Sequence, residues 1–233
     1  MSWMVPEGLV DILARNLKLD RNMISSPINH STVFKKYHSL FEEDKNFGAV
    51  GNAYAEENWD YEEEMTAHAN PEYEPEALLK CIETSRRCAG RNTSTRIVMT
   101  VPVWESQKYW QLIENSTEID IICKIPKDCF GFIPESTLRG HATTPGSTRW
   151  PVAIIMVSNE KGKQRGVPEE MEEEMEIWLQ NHTYRGGEEE IQNHDPTRNA
   201  KNKRKQGSNS RVHGWVIQRR ESRLRNLLWK RRQ

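Results

Sequence analysis

Met65-Thr66-Ala67-His68-Ala69-Asn70-Pro71-Glu72-Tyr73-Glu74-Pro75 is the stretch whose reading decides the fold. Its first five residues read as a short strand, and Asn-Pro is turn chemistry. Pro75 then opens a helix to Cys88, with Leu78, Cys81, Ile82 and Ser85 on one side. Arg86 and Arg87 stand at its C-terminal end, where cations suit the helix dipole. Strand, polar loop and helix in that order are the unit of an α/β sheet, and ligands of such sheets lie beyond the carboxyl ends of strands. Asn70 is placed there.

The flanking sequence repeats the unit. Pro6 followed by Leu9, Leu13 and Leu17 predicts a helix with one apolar face. Leu19 to Ile24 predicts a first strand, closed by Ser25-Ser26-Pro27. Residues 29–59 are polar and irregular, and Phe34, Tyr37, Phe41 and Phe47 are expected to anchor that stretch to the core. Glu62 to Glu64 reads as a solvated turn. Thr95 to Val101 is apolar and β-branched, the clearest buried strand, and it ends at Pro102. A helix over 106–114, strands at 119–125 and 152–157, and a Gly/Thr/Pro-rich loop over 140–151 follow. Strands alternating with helices predict an open, mainly parallel sheet with helices on its faces. Pro168 to Leu179 carries Met171, Met175, Trp178 and Leu179 at helical spacing behind an acidic face, the pattern of a terminal helix docked on the sheet.

Composition divides the chain in two. From Thr197 onward thirteen Lys/Arg face one acid, Glu221, so an acidic body carries a basic arm. The expected organisation is an α/β domain over 1–182 and a flexible basic tail over 183–233. The cluster Lys201, Lys203, Arg204 and Lys205 is a candidate nuclear-localisation or phosphate-contacting patch. Arg219 and Arg220 lie in a possible basic helix with Trp215, Leu224 and Trp229. DNA or RNA is the partner such an arm suits, with an anionic membrane surface the lesser alternative. Cys81, Cys88, Cys123 and Cys129 show neither zinc-ligand spacing nor a disulfide framework, so no metal is expected. No leader-like start and no run of membrane-spanning length is present, which points to a soluble, intracellular protein, nuclear if its host is a eukaryote.

Asn70-Pro71, followed two places on by Tyr73, resembles the Asn/Asp-Pro-Pro-aromatic loop of amino-group methyltransferases. Trp3-Met4-Val5-Pro6, the 19–26 tract, Asn29, the segment from Asp44 to Trp59, and Val101-Pro102 followed by Trp110 resemble, in order, phage-type DNA N6-adenine methyltransferases. The version in eukaryotic retroelement polyproteins looks closer, through Pro102-Val103-Trp104-Glu105-Ser106-Gln107-Lys108-Tyr109-Trp110. The likeness covers about residues 2–157 and implies a Rossmann-like fold with S-adenosylmethionine as methyl donor. It implies that Asn70 and Pro71 hold an amino group while Tyr73 stacks on an extruded base, and that Trp3, Pro6 and Asn22 border the cofactor. Three positions depart from the pattern. Val5 replaces a threonine, Asn22 an aspartate, and Glu72 the second proline, freeing the turn that proline would fix. Those departures favour an alternative that keeps the fold and drops the reaction, a nucleic-acid-binding protein gripping phosphates through its tail. An unrelated α/β protein that carries Asn-Pro-Glu-Tyr by chance is the third reading.

Overall fold

The computed structural model describes residues 3–55, 59, 64–91, 94–127, 129–134 and 146–183. Of two units, Met1–Tyr184 and Arg185–Gln233, the first holds all of them and is described by itself. The expectations for the tail, including Lys201, Lys203, Arg204, Lys205, Arg219 and Arg220, lie outside the described residues.

In chain order the elements are β1 (Trp3–Met4), α1 (Glu7–Leu17), β2 (Arg21–Ser25), β3 (Lys36–Ser39), a 3-10 turn (Glu42–Phe47), β4 (Glu64–Ala69), α2 (Pro75–Arg91), β5 (Ser94–Pro102), α3 (Lys108–Asn115), β6 (Ile119–Ile125), β7 (Phe130–Pro134), β8 (Gly146–Ser147), β9 (Val152–Ser158), α4 (Glu160–Gln164) and α5 (Glu169–His182). Six strands form one sheet in the order β3-β2-β4-β5-β9-β6. The pairs β2/β3, β2/β4 and β4/β5 are parallel, whereas β9 runs antiparallel between β5 and β6. The sheet is therefore mixed but mostly parallel. A second, small sheet joins β1, β7 and β8.

Alternation along the central strands builds a core on each face. Ile97, Met99 and Val101 of β5 with Ala153, Ile155 and Val157 of β9 meet α2 and α3 through Leu78, Ile82, Trp110 and Ile113. Val98, Val152, Ile154 and Met156 point the other way, into Leu9, Leu13 and Leu17 of α1 and Met171, Met175 and Trp178 of α5. Both central strands are buried on both sides, and their near-continuous apolar sequence is what such a position demands. Helix α5 meets α1 directly, where Arg15 pairs with Glu174 at 3.1 Å and Asn16 donates to the same carboxylate at 2.9 Å. At the foot of β5, Asn159 accepts from Gly162 N–H and Thr95 N–H. A Cβ on Gly162 would stand 2.1 Å from the Thr95 carbonyl, so this close approach requires glycine.

The stretch expected to be irregular holds β3 and the 3-10 turn. Phe34 and Tyr37 are buried as anchors, but Phe41 is 63% and Phe47 70% exposed. The expected turn at Glu62–Glu64 gives way at its end, since Glu64 opens β4.

Candidate functional site

Strands β2 and β4 run side by side with Asn22 opposite His68. Period-two alternation places His68 and Asn70 on the same face of β4 as it exits the sheet. Beyond β2, the Asn29 side-chain oxygen accepts from the Ser26 N–H at 2.6 Å and the Ser25 hydroxyl at 3.1 Å, folding the chain back over the strand ends. The Asn70 amide donates to the Trp3 carbonyl at 2.7 Å and ties β1 to the same place.

These segments enclose a cavity of about 200 Å³, lined among others by Val5, Glu7, Asn22, His30, His68 and Asn70. Several polar atoms of its wall are unsatisfied. Asn22 Oδ1, both ring nitrogens of His68, Asn70 Oδ1 and His30 Nδ1 are buried with no hydrogen-bond partner. Asn22 is 4% and His68 1% exposed. His68 stacks on Phe34 at 5.7 Å between ring centroids. Burial pushes its imidazole down to about 4, so it is neutral at pH 7 with one N–H and one lone pair. Unpaired buried polar atoms cost about 1–3 kcal/mol each, and several around one void mark a place where a ligand or ordered water completes them.

Ser25, Asn29 and Asn70 also line a neighbouring cavity of about 70 Å³. That one shares Ile24, Leu40 and Glu72 with a third of about 380 Å³, which adds Asn52, Tyr54, Ala77 and Lys80. The three follow one another across the carboxyl ends of β2, β3 and β4. At the outer cavity the Lys80 ammonium lies 4.0 Å from the centre of the Tyr54 ring, a cation–π contact.

The residues singled out from sequence divide. Trp3, Asn22 and Asn70 come together, Asn22 and Asn70 lining the inner cavity and Trp3 bound to Asn70. Pro71 is buried, while exposed Glu72 lines both outer cavities. Pro6 lies beside Gly131, whose added Cβ would meet its ring at 3.3 Å. Tyr73 is 4% exposed, its ring in the α1 core with Trp3 and Val98 and its hydroxyl unpartnered. Burial raises the Tyr73 phenol well above its usual value. Sequence reading missed His68, Lys80 and Tyr54; for His68 the available signal was its two-residue spacing from Asn70.

Among the buried polar groups of the inner cavity, the Asn22 and Asn70 carboxamides carry no charge and the His68 ring is neutral at pH 7. The carboxylate lining the cavity, Glu7, is exposed and accepts from the Thr32 hydroxyl. The expected donor S-adenosylmethionine brings a sulfonium, an ammonium and a carboxylate, a net positive charge, and burying charge without a buried counter-charge is costly. This donor set fits an uncharged polar ligand, and it does not fit that cofactor.

Among the described residues no group of three or more His, Cys, Asp or Glu is placed to hold a metal, and no helix is long and apolar enough to cross a membrane. The model of the family described as "Phosphorylated CTD interacting factor 1 WW domain" matches residues 1–129. No curated protein matches the chain. The family match corrects the resemblance drawn from sequence. The matching family is not that of the phage-type DNA adenine methyltransferases, and with it fall the DNA N6-methylation reading, its silent nucleic-acid-binding alternative and the retroelement attribution. The motifs that carried them are each a few residues long, and short motifs recur without shared function.

Proposed function

We propose, for a chain that belongs to the family of the phosphorylated CTD interacting factor 1 WW domain, that it is an interaction protein whose α/β body engages a phosphorylated protein segment. The observation that carries this is coincidence in sequence: the match over 1–129 takes in every residue lining the three cavities beyond β2, β3 and β4. The matched residues hold β1 to β6 and α1 to α3, so the unit that would do the binding is a layered α/β body. We read its sheet more finely as Rossmann-like, since helices cover both faces and the crevice lies where parallel strands end.

Phosphate recognition needs cations with fixed geometry. Lys80 at the mouth of the outer cavity is one, and the Lys/Arg-rich sequence after Thr197 is a second supply. The test is fluorescence anisotropy of a labelled CTD peptide in phosphorylated and unphosphorylated forms, titrated with the full chain. The phosphorylated peptide should bind at least about tenfold tighter, the worth of one charge-assisted hydrogen bond, with part of the preference lost in Lys80→Ala. Equal affinities for the two peptides overturn the reading.

A further inference from the structure

We propose that the inner cavity binds a small uncharged ligand through a primary carboxamide, or through the same N–H and C=O edge on a heterocycle, with Asn22 and His68 as the specificity-determining residues. The phosphorylated-partner reading concerns the outer surface and is independent of this one.

The donors and acceptors set the ligand's chemistry. Asn22 Oδ1 and Asn70 Oδ1 are acceptors without a donor, and both line the cavity. The neutral His68 ring adds one N–H and one lone pair, neither of them used. The wall therefore asks for two or more N–H donors and one acceptor from a single small group. An ammonium supplies donors but no acceptor, and a carboxylate supplies acceptors only. A primary carboxamide supplies two N–H groups and one carbonyl oxygen. Asn22 and His68 are opposed across adjacent strands, so the two sides of the recognition are held by the sheet and need no loop closure. Phe34, stacked on His68, fixes the plane of the ring. A volume of about 200 Å³ is room for roughly seven waters at about 30 Å³ each, enough for a carboxamide on a small ring.

The experiment titrates the ¹⁵N-labelled full chain with nicotinamide, its N,N-dimethyl amide, nicotinate and S-adenosylmethionine, reading the His68 ring signals. Nicotinamide should shift them in a saturable way, with the dimethyl amide and nicotinate at least about tenfold weaker for want of the N–H donors or of neutrality. Asn22→Leu and His68→Phe should each weaken nicotinamide by about tenfold or more, while His68→Gln, which keeps a donor and an acceptor, retains binding. Circular dichroism of each variant separates lost binding from lost fold. The proposal is overturned if no probe moves the His68 signals, which would leave water as the occupant, or if S-adenosylmethionine binds tighter than nicotinamide and survives Asn22→Leu. It is overturned equally if a glutamine-bearing peptide displaces nicotinamide, since the amide would then belong to a protein partner. Phosphopeptide affinity, measured on the same samples, reports on the family reading separately.

Discussion

The two halves of the sheet treat buried polarity differently. Around β5 and β9 the unpartnered atoms are the hydroxyls of Thr95, Thr100 and Ser158, the Arg96 Nε and the Trp110 Nε1, and none of these residues lines any of the three cavities. Around β2 and β4, Asn22, His30, His68 and Asn70 carry unpartnered atoms and all four line one void, while the unpartnered atoms of Trp3, His38 and Tyr73 belong to residues that do not line it. An isolated orphan inside close-packed side chains is a local cost that the core absorbs. Orphans that converge on empty space are a surface prepared for something else. On the proposal made above, the β5–β9–β6 half carries the stability, and the β2–β4 half carries the proposed binding chemistry and some of the instability.

The largest effect should come from breaking the first half. Trp110 is fully buried where α3 meets β5 and β6, with the Lys124 ammonium 5.4 Å from its ring centre. Trp110→Ala should cost about 3–5 kcal/mol, read as a lower urea midpoint with unchanged slope. A loss under about 1 kcal/mol would mean that this half is not the stabilising one.

The second half should show itself through pH. Burial pushes both His68 and His38 down to about 4. Each folded-state site binds a proton less readily than the unfolded chain, so the stability held in the neutral ring is complete above about pH 6.5 and drains as pH falls toward 4. For fully buried His68 the loss is on the order of 3 kcal/mol. His68→Phe should flatten the denaturation midpoint over that window, leaving the slope due to His38. An unchanged profile in that variant would remove His68 from the account.

The contrast also explains what could be read without coordinates. Strands β5 and β9 were legible because burial on both faces leaves a run of β-branched and apolar residues, and α1 because leucines recur every four positions. Strand β1 has two residues and is defined only by its partner Ile133–Pro134, a pairing more than a hundred positions away. The antiparallel direction of β9 is equally invisible, since a doubly buried strand has the same composition either way. Phe41 and Phe47 were expected inside because an aromatic in a polar stretch has no periodicity to say which side it faces. His68 read as one residue of an apolar strand, and only the register that sets it against Asn22, together with the void beside them, makes it a candidate for binding. The likeness to adenine methyltransferases rested on several short motifs in order, the Asn-Pro-Glu-Tyr loop among them, and the residues of that loop divide between the cavity and the core.

That division gives the smallest and most discriminating test. Tyr73 has its hydroxyl buried without a partner and its ring among Trp3, Val98 and the α1 leucines. Phenylalanine would keep the ring and remove an atom that was desolvated for nothing. Tyr73→Phe should therefore raise stability by up to about 1 kcal/mol and leave carboxamide binding unchanged, because Tyr73 is not among the residues lining the inner cavity. A hydroxyl at work in the crevice would behave in the opposite way, with stability unmoved and binding lost. If Tyr73→Phe lowers the melting midpoint, the hydroxyl has a partner that this packing does not supply, and the boundary between core and crevice must be redrawn to put Tyr73 on the crevice side.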